Sequence, residues 1–223
     1  MEAIIFDFDG LILDTETPDY EAWKETYGSY GLEFPLDQWA KRVGTIAAHF
    51  DPYRHLEELL GRKLDREQTL LNQRNRNLEI LSTKSLRPGV EDYLNAAYRM
   101  RIRLAVASSS TQDWVMGHLS RFEIADHFNS IRTREDVARV KPHPDLYEAT
   151  LETLGLKPSQ AVAFEDSPNG IKAAKAAGIF CVAVPNDLTR LLDLDGAGAD
   201  MRIESMADKP LRDLLHEIEQ RKR

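Results

Sequence analysis

The chain begins with Met1-Glu-Ala-Ile-Ile-Phe-Asp-Phe-Asp-Gly10, a short apolar run that ends in two carboxylates. The run from Ala3 to Phe6 is too short for a helix and rich in isoleucine and phenylalanine, which predicts a buried strand. Asp7 and Asp9 then lie at the carboxyl end of that strand. Ligands of open parallel α/β sheets bind at this edge, and residues two apart on an extended chain point the same way. The opening therefore predicts two carboxylates facing one site.

The Asp-x-Asp-Gly sequence also has other interpretations. Carboxylates beside glycine are common in solvated turns, so these ten residues alone leave an acidic turn open. An EF-hand loop would need a third ligand before its glycine and a helix before the loop. A strand precedes the acids here, which argues against an EF-hand.

Two later segments repeat the pattern of an apolar strand followed by polar side chains. Arg103-Leu-Ala-Val-Ala-Ser-Ser-Ser110 ends in hydroxyls and precedes a predicted helix over Gln112–Arg121. Hydroxyls and backbone N–H groups at a helix start can bind an anion. Gln160-Ala-Val-Ala-Phe-Glu-Asp-Ser167 ends in two more carboxylates, Glu165 and Asp166. The predicted edge of the sheet thus collects acids and hydroxyls together.

A lysine lies between these two segments, in Lys141-Pro-His-Pro144. The prolines prevent a helix around the lysine and hold it in a rigid turn. Taken singly, Lys141 could be a surface charge, Ser108 a helix cap, and Glu165 with Asp166 helix N-terminal acids. Taken jointly, these groups predict a site for a divalent cation and a phosphate.

The same residues resemble the four motifs of the haloacid dehalogenase superfamily, in order and over nearly the whole chain. The first motif is similar to Asp7-Phe-Asp9-Gly-Leu-Ile-Leu-Asp14-Thr15-Glu16, and the others to Ser108, Lys141 and Glu165-Asp166. With Ala22-Trp23, the first motif resembles the branch of β-phosphoglucomutases and small sugar-phosphate phosphatases. The resemblance implies an α/β fold with a Rossmann-like parallel-sheet core and an inserted helical cap domain.

The resemblance further implies a phosphohydrolase that acts on a small phosphorylated metabolite, a sugar phosphate above all. Asp7 would be the nucleophile that forms an aspartyl phosphate. Asp9 would protonate the leaving alcohol and later activate water. Ser108, Ser109 and Lys141 would bind the phosphoryl oxygens.

Mg²⁺ is the implied cofactor. Its ligands would be Asp7, the backbone carbonyl of Asp9, and Asp166, with Glu165 acting through the outer shell. Oxygen ligands of this kind suit a hard cation.

Two departures from the β-phosphoglucomutase pattern favour hydrolysis. Asp19 stands where that enzyme has a histidine, and the run Val43-Gly-Thr-Ile-Ala47 has alanine where that enzyme's cap has a substrate-binding arginine. Arg42 or Arg54 could replace this cation, so a phosphomutase remains the first alternative.

A non-catalytic module that holds Mg²⁺ or a phosphorylated ligand is the second alternative. Loss of Asp7 or Asp9 would have favoured it, and both acids are present. The sequence does not identify the substrate.

The composition limits the partners. A net charge of −8 argues against nucleic acid. No apolar stretch approaches the ~18 residues of a membrane span, so no membrane partner is expected. The single Cys181 cannot form an internal disulfide and is expected to be buried, which fits a reducing cytoplasm. We expect a small phosphate ester as the partner and a monomer or weak homodimer.

The strand pattern disappears between Thr15 and Lys84, where helical signals predominate. We assign residues 1–15 and 83–223 to the catalytic core and residues 16–82 to a helical cap. Four helical segments are predicted in this insert: Pro18 to Tyr30, Leu36 to Val43, Pro52 to Leu60 and Arg66 to Ser82. Four aromatic residues are expected in apolar cores rather than at the ligand: Trp23, Trp39, Trp114 and Tyr53.

Overall fold

The computed structural model describes residues 1–40 and 50–222. Within these residues the strands are β1 Ala3–Phe6, β2 Arg103–Ala107, β3 Ser130–Arg132, β4 Ala161–Glu165, β5 Phe180–Ala183 and β6 Met201–Arg202. The α-helices are α1 Glu16–Gly28, α2 Leu36–Ala40, α3 Pro52–Leu60, α4 Arg66–Ser82, α5 Val90–Met100, α6 Gln112–Arg121, α7 Asp145–Leu154, α8 Pro168–Ala176 and α9 Leu211–Arg221.

The six strands form one parallel sheet in the order β3-β2-β1-β4-β5-β6. Central β1 pairs with both β2 and β4, and Phe6 lies opposite Val106 on one side and Phe164 on the other. Strand order reverses between β1 and β4, and in open α/β sheets this is where ligands bind, beyond the carboxyl ends of the strands. The predicted α/β fold with a Rossmann-like parallel sheet is confirmed.

Helices cover both faces of the sheet. Side chains alternate along a strand, so Ile4 and Phe6 pack with α5, α6 and α9, whereas Ala3 and Ile5 pack with α7 and α8. Both faces of β1 are buried, which explains why its sequence is apolar without alternation. Cys181 is buried in the second of these layers, as predicted.

Helix boundaries agree closely with the signals in the sequence. α6 covers the predicted residues, and Asp51 caps α3 by accepting hydrogen bonds from the N–H groups of Tyr53 and Arg54. The first helix of the insert runs over Glu16–Gly28 rather than Pro18 to Tyr30. Of the predicted helix Leu36 to Val43, the part up to Ala40 is helical. Residues 41–43, Arg42 included, and the run 43–47 lie outside the described residues.

The insert carries an apolar cluster of its own. Its buried side chains come mostly from α1 to α3 and the connections between them: Trp23, Tyr27, Phe34, Trp39, Tyr53 and Leu56, joined by Leu188 of the core. α1 packs along α4, and Nε of Arg76 lies 2.6 Å from Oε2 of Glu25. The boundaries of a cap domain at 16–82 stay a prediction. None of the helices in the described ranges combines the length and the apolarity needed to cross a bilayer.

Candidate active site

A cavity of about 490 Å³ opens at the carboxyl ends of β1, β2 and β4. A volume of this size is typical of sites for small molecules. Five of the predicted site residues line it: Asp7, Asp9, Ser109, Lys141 and Asp166. The remaining two, Ser108 and Glu165, lie behind this wall and contact lining residues. The tertiary structure thus brings all seven predicted residues together.

Lys141 lies between two carboxylates that come from neighbouring strands. Its Nζ is 2.5 Å from Oδ1 of Asp7 and 2.6 Å from Oε1 of Glu165. Burial lowers the pKa of the Lys141 ammonium, but the charges of Asp7 and Glu165 outweigh this and raise the pKa overall. Lys141 is therefore a buried, charged group at the base of the cavity and not the surface charge that its sequence context also allowed.

A third carboxylate, that of Asp166, completes a buried acidic cluster with Asp7 and Glu165. One oxygen from each of these three residues lies within 4.8 Å of the other two. Burial, followed by the charges of Asp7 and Glu165, raises the pKa of Asp166 well above its ordinary value. Burial also raises the pKa of Asp7 to about 7 despite the opposing charge of Lys141. One ammonium does not compensate three carboxylates in so dry an environment.

The cluster fits a hard divalent cation. Carboxylates supply the oxygen ligands that Mg²⁺ and Ca²⁺ prefer, and a divalent cation would stabilise the charged forms of Asp7 and Asp166 that burial disfavours. Gly10 leaves room on the same side, because a Cβ atom there would clash with the carboxylate of Asp166 and the amide of Asn186. Gly10 also has a φ of 77°, which favours glycine.

Asp9 is held separately from the acidic cluster by four hydrogen-bond donors. Oδ1 accepts from Oγ1 of Thr15 at 2.9 Å and from Nε1 of Trp114 at 2.8 Å. Oδ2 accepts from Oγ of Ser110 at 2.6 Å and from Oγ of Ser108 at 3.4 Å. The side chain of the second acid therefore has a fixed orientation at the wall of the cavity.

The expectation that all four singled-out aromatics belong to apolar cores was wrong for one of them. Trp23, Trp39 and Tyr53 are no more than 4% exposed and belong to the apolar cluster of the insert, although Trp39 also borders the cavity. Trp114 is only partly buried, and besides packing on the core it lines the cavity and contacts Asp9. Its position in the first turn of α6, directly after the serine run, is the signal that could have identified it.

Two further polar residues support the acids. The hydroxyl of Tyr147, on α7, donates to Oε1 of Glu165 at 2.5 Å. Nδ2 of Asn186 donates to Oδ2 of Asp166 at 2.8 Å. Asn186 lies shortly after the end of β5, just as predicted site residues lie at the ends of β1, β2 and β4. A search for polar residues at the carboxyl ends of strands could therefore have found it. Tyr147 gave no comparable signal, because it lies within a helix.

Arg87 ties the loops of the site together. Its guanidinium donates to the carbonyl oxygens of Gly10 at 2.6 Å and of Pro185 at 2.6 Å, and also to that of Val184. Burial lowers the pKa of Arg87, partly offset by Asp166. These contacts fix the loop after β1 against the loop after β5, and so position the acids on the first of them.

Known proteins are similar to this chain over most of its length. The family model described as haloacid dehalogenase-like hydrolase matches residues 4–184. The "Putative phosphatase YhcW" of Bacillus subtilis is 45% identical over 218 residues, 98% of each chain. The "Phosphorylated carbohydrates phosphatase" of Thermotoga maritima is 33% identical over 184 residues, 80% of this chain and 82% of that protein. A crystal structure described as "putative beta-phosphoglucomutase", also from Thermotoga maritima, has a TM-score of 0.79 at 30% identity and covers 98% of this chain and 100% of its own.

The family model spans well over half of the 223 residues, from the first strand to the end of the fifth. The matched range includes every residue of the acidic cluster, together with Lys141 and Asp9. The resemblance inferred from the four motifs is confirmed: the chain belongs to the haloacid dehalogenase-like hydrolase family.

Proposed function

We propose that the protein is a Mg²⁺-dependent phosphomonoesterase that hydrolyses a small phosphorylated metabolite, a sugar phosphate above all, through an aspartyl-phosphate intermediate. The buried cluster of Asp7, Glu165 and Asp166 around one lysine is the observation that carries this proposal. Relatives named as phosphatases, one of them for phosphorylated carbohydrates, support it.

The first half-reaction uses Asp7 as the nucleophile. Its carboxylate attacks phosphorus, the bond to the alcohol oxygen breaks, and the phosphoryl group becomes attached to Asp7. Lys141, the hydroxyl of Ser108 and the backbone N–H of Ser109 would bind the other phosphoryl oxygens. Ser109 lines the cavity, and its buried Oγ has no hydrogen-bond partner in the part of the chain that the structure describes, so this hydroxyl is a further candidate to bind the phosphate.

Asp9 would act as acid and then as base. It gives a proton to the departing alcohol and later removes one from the water that hydrolyses the aspartyl phosphate, a contribution of roughly 10²–10⁴ to the rate. Its four donors hold the carboxylate in one orientation for both steps. The two acids therefore have different surroundings: hydroxyls and an indole N–H orient Asp9, whereas Asp7 accepts a hydrogen bond from the ammonium of Lys141.

Mg²⁺ would be held by Asp7, Asp166 and the backbone carbonyl of Asp9, with Glu165 in its outer shell. When bound, it supplies positive charge where the anionic nucleophile and the anionic substrate meet. Lys141 alone cannot do so, because Asp7 and Glu165 already share its charge.

The decisive test is phosphate release from p-nitrophenyl phosphate. We expect EDTA to remove this activity and added Mg²⁺ to restore it. Asp7→Asn should abolish the activity. Asp213→Asn is the control, because Asp213 is an exposed residue of α9, and this variant should retain the activity. Asp9→Asn should slow turnover without removing the nucleophile, so the two variants differ in kind. Trapping of a phosphorylated peptide that lacks Asp7 would refute the assignment, as would full activity in metal-free protein.

A phosphomutase is the second candidate. The 30% identical structure described as "putative beta-phosphoglucomutase" favours it. Asp19, in place of the histidine of that pattern, lines the cavity and argues for hydrolysis. The test is a coupled assay that measures glucose 6-phosphate formed from β-glucose 1-phosphate in the presence of a catalytic amount of glucose 1,6-bisphosphate. Formation of glucose 6-phosphate would decide for the mutase.

We also propose that residues 16–82 form a cap over the site, joined to the core near Asp14 and Ser82. Such a cap can close to exclude water and open to release product. All proposed metal ligands lie outside it. Replacement of residues 16–82 by a short Gly/Ser linker should therefore preserve the Mg²⁺-induced rise in Tm. If that rise is lost although far-UV circular dichroism shows that the protein is folded, the boundary between cap and core lies elsewhere.

A further inference from the structure

The cavity has a second wall that the proposed phosphate chemistry does not use. Helices α1 and α4 form it, with Glu16 and Asp19 from α1 and Asn77 from α4. These side chains line the same cavity as Lys141. A molecule whose phosphate lies at Lys141 would place its remaining groups against this wall.

Asn77 belongs to the inward stripe of α4. Gln73, Asn77 and Leu81 are four residues apart and share one face of the helix. Gln73 is 8% exposed and donates to Oδ1 of Asp19 at 2.5 Å, and Leu81 is 1% exposed within the core. Asn77 lies between them, at a position where an amphipathic helix ordinarily carries an apolar residue.

The amide of Asn77 is incompletely satisfied. Its Oδ1 is buried and has no hydrogen-bond partner among residues 1–40 and 50–222, and the same holds for Oγ of Ser109 in the same cavity. Leaving such a group without a partner destabilises the protein, because the oxygen has lost its water and gained nothing in return. Buried polar groups nearly always have partners, so an unpartnered one in a cavity indicates the position of a ligand group.

The charges beside Asn77 indicate what that group is. Glu16 and Asp19 are acids, and burial, followed by the charge of Asp9, raises the pKa of Glu16 to about 8. A second phosphate or a carboxylate at this wall would be repelled by the carboxylate of Asp19. The cation Arg134 also lines the cavity, but it follows β3 of the sheet and does not belong to α1 or α4. A neutral hydroxyl, in contrast, can donate its one proton to the Asn77 oxygen and accept a hydrogen bond from a protonated Glu16.

We propose that Asn77 is a specificity-determining residue, whose amide binds a hydroxyl group of a phosphorylated polyol while the phosphate lies at Lys141. This inference rests on the proposed phosphatase function and goes beyond it in assigning selection of the substrate to α4. Turnover of esters without hydroxyl groups does not depend on this contact.

Steady-state kinetics of Asn77→Leu test the proposal, with Asn75→Leu as the matched control because Asn75 lies on the exposed face of the same helix. The substrates are p-nitrophenyl phosphate and the best substrate from glycerol 3-phosphate, ribose 5-phosphate, glucose 6-phosphate and fructose 1-phosphate. We expect Asn77→Leu to raise KM for the polyol phosphate about tenfold or more. For p-nitrophenyl phosphate, kcat/KM should stay within twofold, and Asn75→Leu should leave both substrates unchanged.

Two further readouts separate recognition from a structural role. Among deoxy analogues of the best substrate, at least one should bind the wild-type protein about tenfold more weakly than the parent compound does. Asn77→Leu should bind this analogue as tightly as it binds the parent compound. The Tm of Asn77→Leu should not fall, because its oxygen has no protein partner to lose. An unchanged KM for the polyol phosphate, or an equal loss with both substrates, would overturn the role of Asn77 alone. Wild-type protein that cleaves neither p-nitrophenyl phosphate nor any member of the panel would overturn the proposed function and this inference with it.

Discussion

The indole Nε1 of Trp114 donates a hydrogen bond of 2.8 Å to Oδ1 of Asp9, across 105 residues of sequence. The helix after β2 thus holds the acid that follows β1. Trp114 also stacks edge-on against His118, with ring centroids 4.5 Å apart, so its own position is fixed from the side of the core. A proposed acid–base residue is therefore oriented by a neighbouring helix as well as by hydroxyls.

Trp114→Phe should lower kcat for alkyl phosphates about tenfold, because it removes one donor to a charged acceptor and keeps the aromatic packing. The loss should be smaller for p-nitrophenyl phosphate, whose leaving group needs little help from an acid. Comparison of kcat for the two substrates is the measurement. Trp23→Phe, in the separate apolar cluster of the insert, is the control. Equal kcat ratios in wild type and Trp114→Phe would exclude a role through Asp9.

Lys141→Ala should lower kcat on the order of 10²–10³, the usual effect of removing one positioned electrostatic group. It should also lower the free energy of unfolding by about 3–5 kcal/mol in metal-free protein, since it leaves Asp7 and Glu165 buried without a cation. Lys141→Arg should restore only part of kcat, because a forked guanidinium does not replace an ammonium point charge. Kinetics and urea unfolding together check this. Wild-type kcat in Lys141→Ala would contradict the assigned role.

Mg²⁺ binding should release protons near neutral pH. Without metal, burial raises the pKa of Asp7 from 3.8 to about 7, so near neutral pH part of the protein carries a proton on Asp7 that a cation displaces. The pKa of Asp166 is raised as well, which acts in the same direction. The affinity for Mg²⁺ should therefore increase from pH 6 to pH 8. Calorimetry in buffers of different ionisation enthalpy measures the released protons. An affinity independent of pH over this range would contradict the assignment.

The same raised pKa values predict how stability without metal depends on pH. Protonated Asp7 favours the folded state fully below its ordinary pKa of 3.8, and this contribution is lost as the pH rises through about 7. The raised pKa of Asp166 changes stability in the same direction. The Tm should fall between pH 5 and pH 8 in EDTA and fall less in saturating Mg²⁺. A fall of equal size in both conditions would place the titrating groups outside the metal site.

Gly170→Ala should disturb the acidic cluster. A Cβ atom at Gly170 would overlap the carboxylate of Glu165, so we expect a loss of about 1–3 kcal/mol in stability and a lower affinity for Mg²⁺. Gly117→Ala is the control, because its Cβ in α6 meets nothing within 4 Å. In that helix interior, alanine should stabilise by about 0.5–1 kcal/mol. Urea unfolding and Mg²⁺ titration of both variants measure the difference. Equal effects of the two changes would rule out contact with Glu165.

The short apolar runs that end in Asp7, Ser108 and Glu165 were enough to predict the parallel sheet and the edge at which these residues meet. The reason is that a parallel strand buried on both faces must be apolar, and that its carboxyl end must then supply whatever binds a ligand. The prediction for Lys141 likewise rested on local sequence, because the prolines that follow it prevent a helix around the lysine. These features are encoded within a few residues of chain, where sequence patterns are informative.

The partners of those residues depended on packing at long range. Trp114, Trp23 and Trp39 all occur at helical spacing, but only the packing of α6 beside β1 brings one indole N–H to Asp9. Asn77 lies on a helix of the insert, and its place in the cavity depends on how α4 packs along α1. Periodicity determines which residues share a face of a helix. The face that meets the site, and the side chain that reaches it, follow from the burial of apolar surface across the whole fold, which only the tertiary structure decides.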